Sequence, residues 1–335
     1  MIYRQTRLEM TASPLLRHAV TAFFVLLCGP AAFAQDFPSK PVRILVPYPA
    51  AGGPDIVARG LAIGMSKNLG QSVIVENKQG GGGVPAVIDL KNAPPDGHTL
   101  FFPDSSQWAV FPALRADLPY DPVRDFAPVG LVYSNNLFFF VSANSPFKTM
   151  NDLVARAKEK PGTLRYGMSG IGGIMHFIGE AFRISASVNT ISVPYRNSNA
   201  AAAAVLAGEL DYAVAGLQSI RSLAQAGRLR ILANAAPRRD KFVPEVPSVA
   251  ESVGINEFNF RAEIGLVAMS GTPKPIMDRL VRSLSDAQKD TAYLDTLKKL
   301  EYDVAISTPE EFAARIRSDL ERFRIVAKIA NIKVE

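Results

Sequence analysis

Hydrophobic and polar positions along the chain predict alternating strands and helices. Val42–Val46 is a β-branched run that reads as a buried strand, and it breaks at Pro47, Pro49, Gly52 and Gly53. The chain restarts as a helix at Pro54-Asp55 and continues through Ile56–Asn68. Ser72–Glu76 reads as a strand, Gly80–Gly83 as a turn, Val84–Lys91 as a short helix and Thr99–Phe102 as a third strand. This alternation implies a mostly parallel α/β sheet. Leu131–Ser142 is a long apolar strand with Asn135 and Asn136 inside it. Such length suits a strand that leaves one lobe and enters another.

A second alternating set follows. It runs through helix Met150–Glu159, strand Leu164–Gly167, helix His176–Ile184, strand Thr190–Val193 and the alanine-rich helix Asn199–Ala207. Strand Leu210–Ala215, helix Ile220–Ala226 and strand Leu229–Ala235 complete it. Ile264–Met269 reads as one more strand. The helices over Pro275–Asp290, Tyr293–Leu300 and Pro309–Ile329 have the apolar spacing of helices packed on a lobe's outside. The pattern predicts two α/β lobes with two crossings, near residues 140 and 260. Residues 36–140 with 261–335 then form one lobe, and 141–260 the other.

The first strand–turn–helix, Pro47 to Asp55, is built like an anion site. Pro54 and Asp55 suit a helix's first turn, and unpaired backbone N–H groups there point into the turn. The backbone at Ala51–Gly53 is the expected contact. Asp55 would repel an anion and reads as scaffold. Four more loops sit at predicted strand ends, where open α/β sheets bind ligands: Gly80–Gly83, Gly167–Gly173, Pro194–Asn199 and Gly216–Ser219. Two lobes each presenting helix N-termini would make a cleft able to grip a carboxylate from both sides.

Among the charged residues, Arg196 stands at a strand end, where a planar guanidinium can clamp a carboxylate; the alternative is an exposed arginine paired with an acid. Asp211 reads as a residue that caps a helix, orients a loop or holds water. His176 reads as a structural or capping histidine, or as a donor to a ligand oxygen. Trp108 and Phe111 read as core, or as an apolar wall.

Enzyme signatures are weak. Gly170-Ile171-Gly172-Gly173-Ile174-Met175 lacks the last glycine of a dinucleotide loop, and no P-loop occurs. Gly167-Met168-Ser169-Gly170-Ile171 approaches a nucleophile elbow, but Ile171 replaces the required glycine. His176 follows Ser169 by only seven residues, whereas hydrolases of that fold place their histidine far downstream. A secreted α/β hydrolase using Ser169 is thus the alternative to a non-catalytic binding protein without cofactor.

The N-terminus changes the setting. Arg4, Arg7 and Arg17 precede or flank an apolar Ala19–Leu27 stretch too short to span a bilayer, and Ala32-Phe33-Ala34 fits a small-x-small cleavage site. An export signal cleaved after Ala34 also removes Cys28, the single cysteine. Loss of those arginines and Glu9 lowers the formal charge from +6 to +4. That mild excess, with no long like-charge run, does not argue for nucleic acid. His98 and His176, outside any H-E-x-x-H, do not argue for a metal.

Many short segments in order carry a resemblance over nearly the whole mature chain. They include Phe37–Val42, Pro47-Tyr48-Pro49-Ala50, Val75–Lys78, Pro95–Leu100, Val193-Pro194-Tyr195-Arg196, Leu206–Asp211, Val246–Val249, Gly271–Lys274 and Thr308–Phe312. Together they resemble the tripartite tricarboxylate transporter substrate-binding proteins, also called the Bug family. The resemblance implies a two-lobed periplasmic binding protein of the type II, Venus-flytrap kind, with a ligand cleft between the lobes. It also implies a monomer that hands a small carboxylate to a membrane transporter or sensor. In the family, backbone groups and ordered waters hold the carboxylate. Carried over, the site takes Tyr48, Ala51, Gly52, Gly53 and Asp55, then Gly82, Gly83 and Val84. The second lobe adds Ser169, Gly172, His176, Arg196, Asn197, Ser198 and Asp211. Two departures stand out. Ala51 holds a family glycine position, and Val84 replaces a family asparagine, which favours a ligand with an apolar or aromatic body.

Overall fold

The structure, a computed structural model, describes residues 37–332; the expected export signal and the expected cleavage after Ala34 lie outside them. In chain order come β1 (Val42–Val46), α1 (Gly53–Leu69), β2 (Val73–Asn77), α2 (Val84–Asn92), β3 (Thr99–Phe101), α3 (Phe111–Leu114), α4 (Pro122–Asp125) and β4 (Phe126–Ser142). Next are α5 (Met150–Glu159), β5 (Arg165–Ser169), α6 (Ile174–Ser185), β6 (Ile191–Tyr195), α7 (Ser198–Ala207), β7 (Tyr212–Gly216), α8 (Leu217–Gln225) and β8 (Leu229–Asn234). The last are α9 (Val249–Val253), β9 (Arg261–Met269), α10 (Lys274–Ala287), α11 (Thr291–Lys299), β10 (Asp303–Val304) and α12 (Pro309–Ala330). These make two lobes whose strands follow one path, β2-β1-β3-β9-β4-β7-β5-β6, with β8 and β10 also paired to β4.

Strand β4 joins the lobes. Its residues from Phe126 to Asn136 pair antiparallel with β9. From Leu137 onward it pairs with β7 and, from Phe138, with β8. The chain returns at Phe260-Arg261, where Arg261 opens β9 opposite Asn136. β4 starts five residues before the strand expected from the sequence. Pro128 and Gly130 hide that extension, because a proline cannot donate to the ladder; the register shifts at Pro128/Gly130 absorb it.

Both faces of each sheet are covered, which explains the near-continuous apolar strands. Val42, Ile44 and Val46 face Val57, Leu61 and Met65 of α1 and Leu280 and Leu284 of α10. Leu45 faces the opposite way, into a cluster with Val87, Phe101 and Trp108. That cluster continues into the second lobe through Phe139, Tyr166 and Phe177.

The reason is α12, expected as an outer helix of one lobe. Phe312, near its start, meets Trp108 edge-on at 5.1 Å, while Phe323, three turns on, packs on Phe177 and Phe260 at 5.0 and 5.9 Å. Asp319 between them is buried and accepts from Trp108 Nε1 at 3.1 Å, Arg315 Nε at 3.1 Å and Arg322 Nη2 at 2.7 Å. Arg315 also pairs with buried Glu263 of β9 at 2.9 Å. The segment after β3 forms a π-helical turn over Ser106–Val110 that buries Trp108 completely.

Candidate functional site

Strand direction decides which loops meet. β1, β2 and β3 run parallel, so their carboxyl ends share one edge. β5, β6 and β7 also run parallel, ending at Ser169, Tyr195 and Gly216. Leu137 of β4 lies opposite Gly216, and Asn136 lies opposite Arg261. The two sets of carboxyl ends therefore approach the same middle stretch of β4, around Asn135–Leu137.

Asp211 is not part of this meeting. It stands before β7, and its carboxylate accepts the backbone N–H of Arg165, the first residue of β5, at 2.7 Å. Arg165 and Ser169 are opposite ends of one strand, so Asp211 sits at the far edge of the sheet, beside Gly208 and Ser142. The expectation that it joins the cleft is corrected on this ground.

In the first loop Asp55 is 2 % exposed and fully engaged. Its Oδ2 accepts from the backbone N–H of Ala51 at 2.8 Å and from Arg59 Nε at 3.0 Å; its Oδ1 accepts from Asn77 Nδ2 at 2.8 Å. Burial pushes its carboxyl up, but these hydrogen bonds outweigh burial and hold it below the usual aspartate value. Asn77 also donates to Tyr48 O at 3.1 Å, so one side chain ties β2 to both ends of the loop. Ala51 is left-handed, with φ 63°, where the family glycine would be at ease.

The second loop is a left-handed run of glycines. Gly82 and Gly83 have φ 67° and 87°, and Gly83 caps α2 ahead of half-buried Val84. A side chain has no room there: a Cβ at Gly82 would lie 2.7 Å from the Phe111 ring, and one at Gly83 3.0 Å from Pro47. Phe111 is thus the wall beneath the glycines, while Trp108 is core.

A third connection on this edge, Pro103–Gln107, links the other two. Tyr48 donates its hydroxyl to Asp104, Gln107 Oε1 accepts the Asp104 N–H at 2.8 Å, and Gln107 Nε2 donates to Gly82 O at 3.1 Å. Burial and the Asp104 charge push the Tyr48 hydroxyl far up, so it acts as a donor and not as an anion. Burial also pushes the Asp104 carboxyl up, against the hydrogen bonds from Tyr48 and Ser106. Asp104 and Gln107 were missed in the sequence. The signal was their place after β3, the third strand end on the same edge.

In the second lobe, Ser169 and Ser198 both direct their hydroxyls at Met175 Sδ, at 2.8 and 3.4 Å. Met175 therefore joins the β5 and β6 loops, and sequence patterns did not mark it. His176 accepts the Gly172 N–H on Nδ1 at 3.1 Å, bracing the loop, and burial pushes its value down toward the neutral ring. Ser169 and His176 do not form the pair a serine hydrolase needs. Asn197 caps α7 by accepting the Ala200 N–H at 2.9 Å. Arg196 is exposed and forms no ion pair among the described residues. Among the described residues no cluster of three or more metal-type side chains occurs, and no helix is long and apolar enough to cross a membrane.

Comparison with known proteins fits this arrangement. The tripartite tricarboxylate transporter family receptor profile matches residues 57–332. A UPF0065 protein from the tcbD–tcbE intergenic region of Pseudomonas sp. is 33% identical, over 86% of this chain and 85% of that protein. Protein BugT of Bordetella pertussis is 28% identical, over 95% and 98%. A structure described as a periplasmic transporter superposes with a TM-score of 0.73 at 36% identity, covering 89% of this chain and all of that one, 100%. A protein of R. palustris solved with adipate gives 0.74 at 26% identity, over 89% and 99%. MatC of Rhodopseudomonas palustris with bound malate gives 0.70 at 28%, over 87% and 99%. With two lobes, two crossings and facing strand ends, the chain belongs to the tripartite tricarboxylate transporter (Bug) family of solute-binding receptors.

Proposed function

We propose that the protein is an exported, non-catalytic receptor that captures a small carboxylate between its lobes and delivers it to a membrane transporter or sensor. The observation that carries this is the meeting of two sets of parallel strand ends at one stretch of β4. One set offers the α1 N-terminus and left-handed glycines, and the other offers the loops after β5 and β6. The N–H groups of Gly53 and Asp55 have no acceptor among the described residues, which suits an anion. Relatives solved with adipate and with malate support the ligand class.

The lobe division that goes with this reading is 36–140 with 261–335 against 141–260, supported by the change of partners at Asn136-Leu137. The export signal ends at Ala34, and delivery takes place in the periplasm with the receptor as a monomer. Closure of the lobes buries the ligand, driven by its higher affinity for the closed form. Val84, in place of a polar side chain, favours an apolar or aromatic body on the acid. Thermal-shift screening with aliphatic diacids and aromatic acids tests both statements. Stabilisation by aromatic acids is expected; no response to any carboxylate would refute the receptor, and diacids binding best without aromatic acids would refute the preference.

A further inference from the structure

Tyr302, in the loop between α11 and β10, touches both lobes. It is 6 % exposed and stacks on Tyr133, with ring centroids 4.7 Å apart and planes within 8°. Its hydroxyl stands beside the first residue of α1, where a Cβ on Gly53 would lie only 2.6 Å away. The same hydroxyl donates to Gln218 Oε1 at 3.2 Å, and Gln218 Nε2 donates to Leu300 O at 2.5 Å. Gln218 is the second residue of α8 and belongs to the other lobe.

The loop is held in place around this contact. Arg221 of α8 pairs with Glu301 at 2.7 Å, and Lys241 pairs with Asp303 at 2.6 Å. Both pairs cross from one lobe to the other. Glu301 has φ 56°, a left-handed conformation that a residue with a Cβ keeps only when its surroundings hold it there.

We propose that Tyr302 contacts the bound carboxylate, with its hydroxyl aimed at the N-terminus of α1 by Gln218 of the opposite lobe. The proposal rests on the carboxylate-receptor reading and adds a side-chain donor beside the backbone N–H groups of the α1 N-terminus. A tyrosine hydroxyl carries one proton and two acceptor positions. A carboxylate is a stronger acceptor for that proton than the neutral Gln218 amide. The hydroxyl can turn its proton from Gln218 Oε1 to the ligand while Gln218 Nε2 stays bonded to Leu300 O, so the ligand takes over the group that joins the lobes. Gly53 leaves the hydroxyl its room beside α1.

Calorimetry with adipate, malate and benzoate on the wild type, Tyr302→Phe, Gln218→Ala and the double variant tests this. Phe keeps the stack on Tyr133, and thermal melts check that each variant folds. Tyr302→Phe should weaken binding of the best acid about tenfold or more, the loss of a hydrogen bond to a charged group. Gln218→Ala should weaken it less, and the double variant should match Tyr302→Phe alone, because both act through one hydroxyl. Full affinity in Tyr302→Phe, or fully additive losses, would overturn the role of Tyr302 and leave the receptor standing. A wild type that binds none of the acids would overturn the receptor and this role with it.

Discussion

The carboxylate of Asp55 accepts the backbone N–H of Ala51 at 2.8 Å, so the first turn of α1 holds the loop that precedes it. The same oxygen meets Arg59, and the other meets Asn77. Asp55→Asn keeps the shape but removes the charge that these donors face. It should cost about 1–3 kcal/mol at neutral pH. The folded carboxyl lies below the ordinary 3.8, so its contribution is complete above that value and fades as pH falls through the lowered one. Urea titrations of both proteins at neutral pH and at about pH 3 read the effect. The gap should narrow in acid; a constant gap would mean that Asp55's charge does not brace the loop.

Opposite backbone substitutions should move stability in opposite directions. Ala51, at φ 63°, carries a Cβ in left-handed space. That costs about 1–2 kcal/mol, and glycine gives back part of the relief through about 0.4–1 kcal/mol of unfolded-chain entropy. Ala51→Gly should therefore stabilise by about 0.5–1 kcal/mol. Gly83→Ala meets both φ 87° and a Cβ 3.0 Å from Pro47, and should cost about 2 kcal/mol or more. Denaturation midpoints with unchanged slopes decide; an Ala51→Gly that destabilises would remove the strain argument.

What the sequence made legible was local. The apolar runs and glycine breaks placed most strands and helices, because two-sided burial leaves a continuous signal in β1 or β7. The scaffold role of Asp55 was visible because a carboxylate repels an anion, although its partner Asn77, 22 positions on, was not. What escaped was set by direction and distance. Asp211 was grouped with the cleft by the family resemblance, but it precedes β7, and parallel pairing with β5 puts that end away from Ser169. Asp104 reaches Tyr48 across 56 positions, and Asp319 reaches Trp108 across 211. The apolar spacing of α12 showed that it packs, without showing that its two ends pack on different lobes.

Asp319 is the buried centre of that helix. Its oxygens serve Trp108, Arg315 and Arg322. Asp319→Ala leaves two arginines and an indole N–H without their acceptor, and should destabilise by about 3–5 kcal/mol. Because α12 bridges the lobes, the loss should lower the melting temperature of the whole protein as one transition. A separate early transition, with the rest unmoved, would show that the lobes do not depend on this helix. Calorimetric scans distinguish the two.

Arg196 offers the reverse case, a charge with no structural duty in sight. It follows β6, is exposed, and pairs with no acid among the described residues. Its removal should leave the melting temperature within about a degree or two, as for an ordinary surface change. If it clamps the ligand, Arg196→Ala should weaken carboxylate binding by about 1.5–3 kcal/mol, the range for a hydrogen bond to a charged group. Arg196→Lys should recover only part of the loss, because an ammonium cannot match a carboxylate with two parallel donors. Calorimetry on the three proteins with the best-binding acid reads both steps. Unchanged affinity in Arg196→Ala would take Arg196 out of the site and leave Ser169, Ser198 and backbone groups as the second lobe's share. Full recovery by lysine would keep the charge but discard the bidentate clamp.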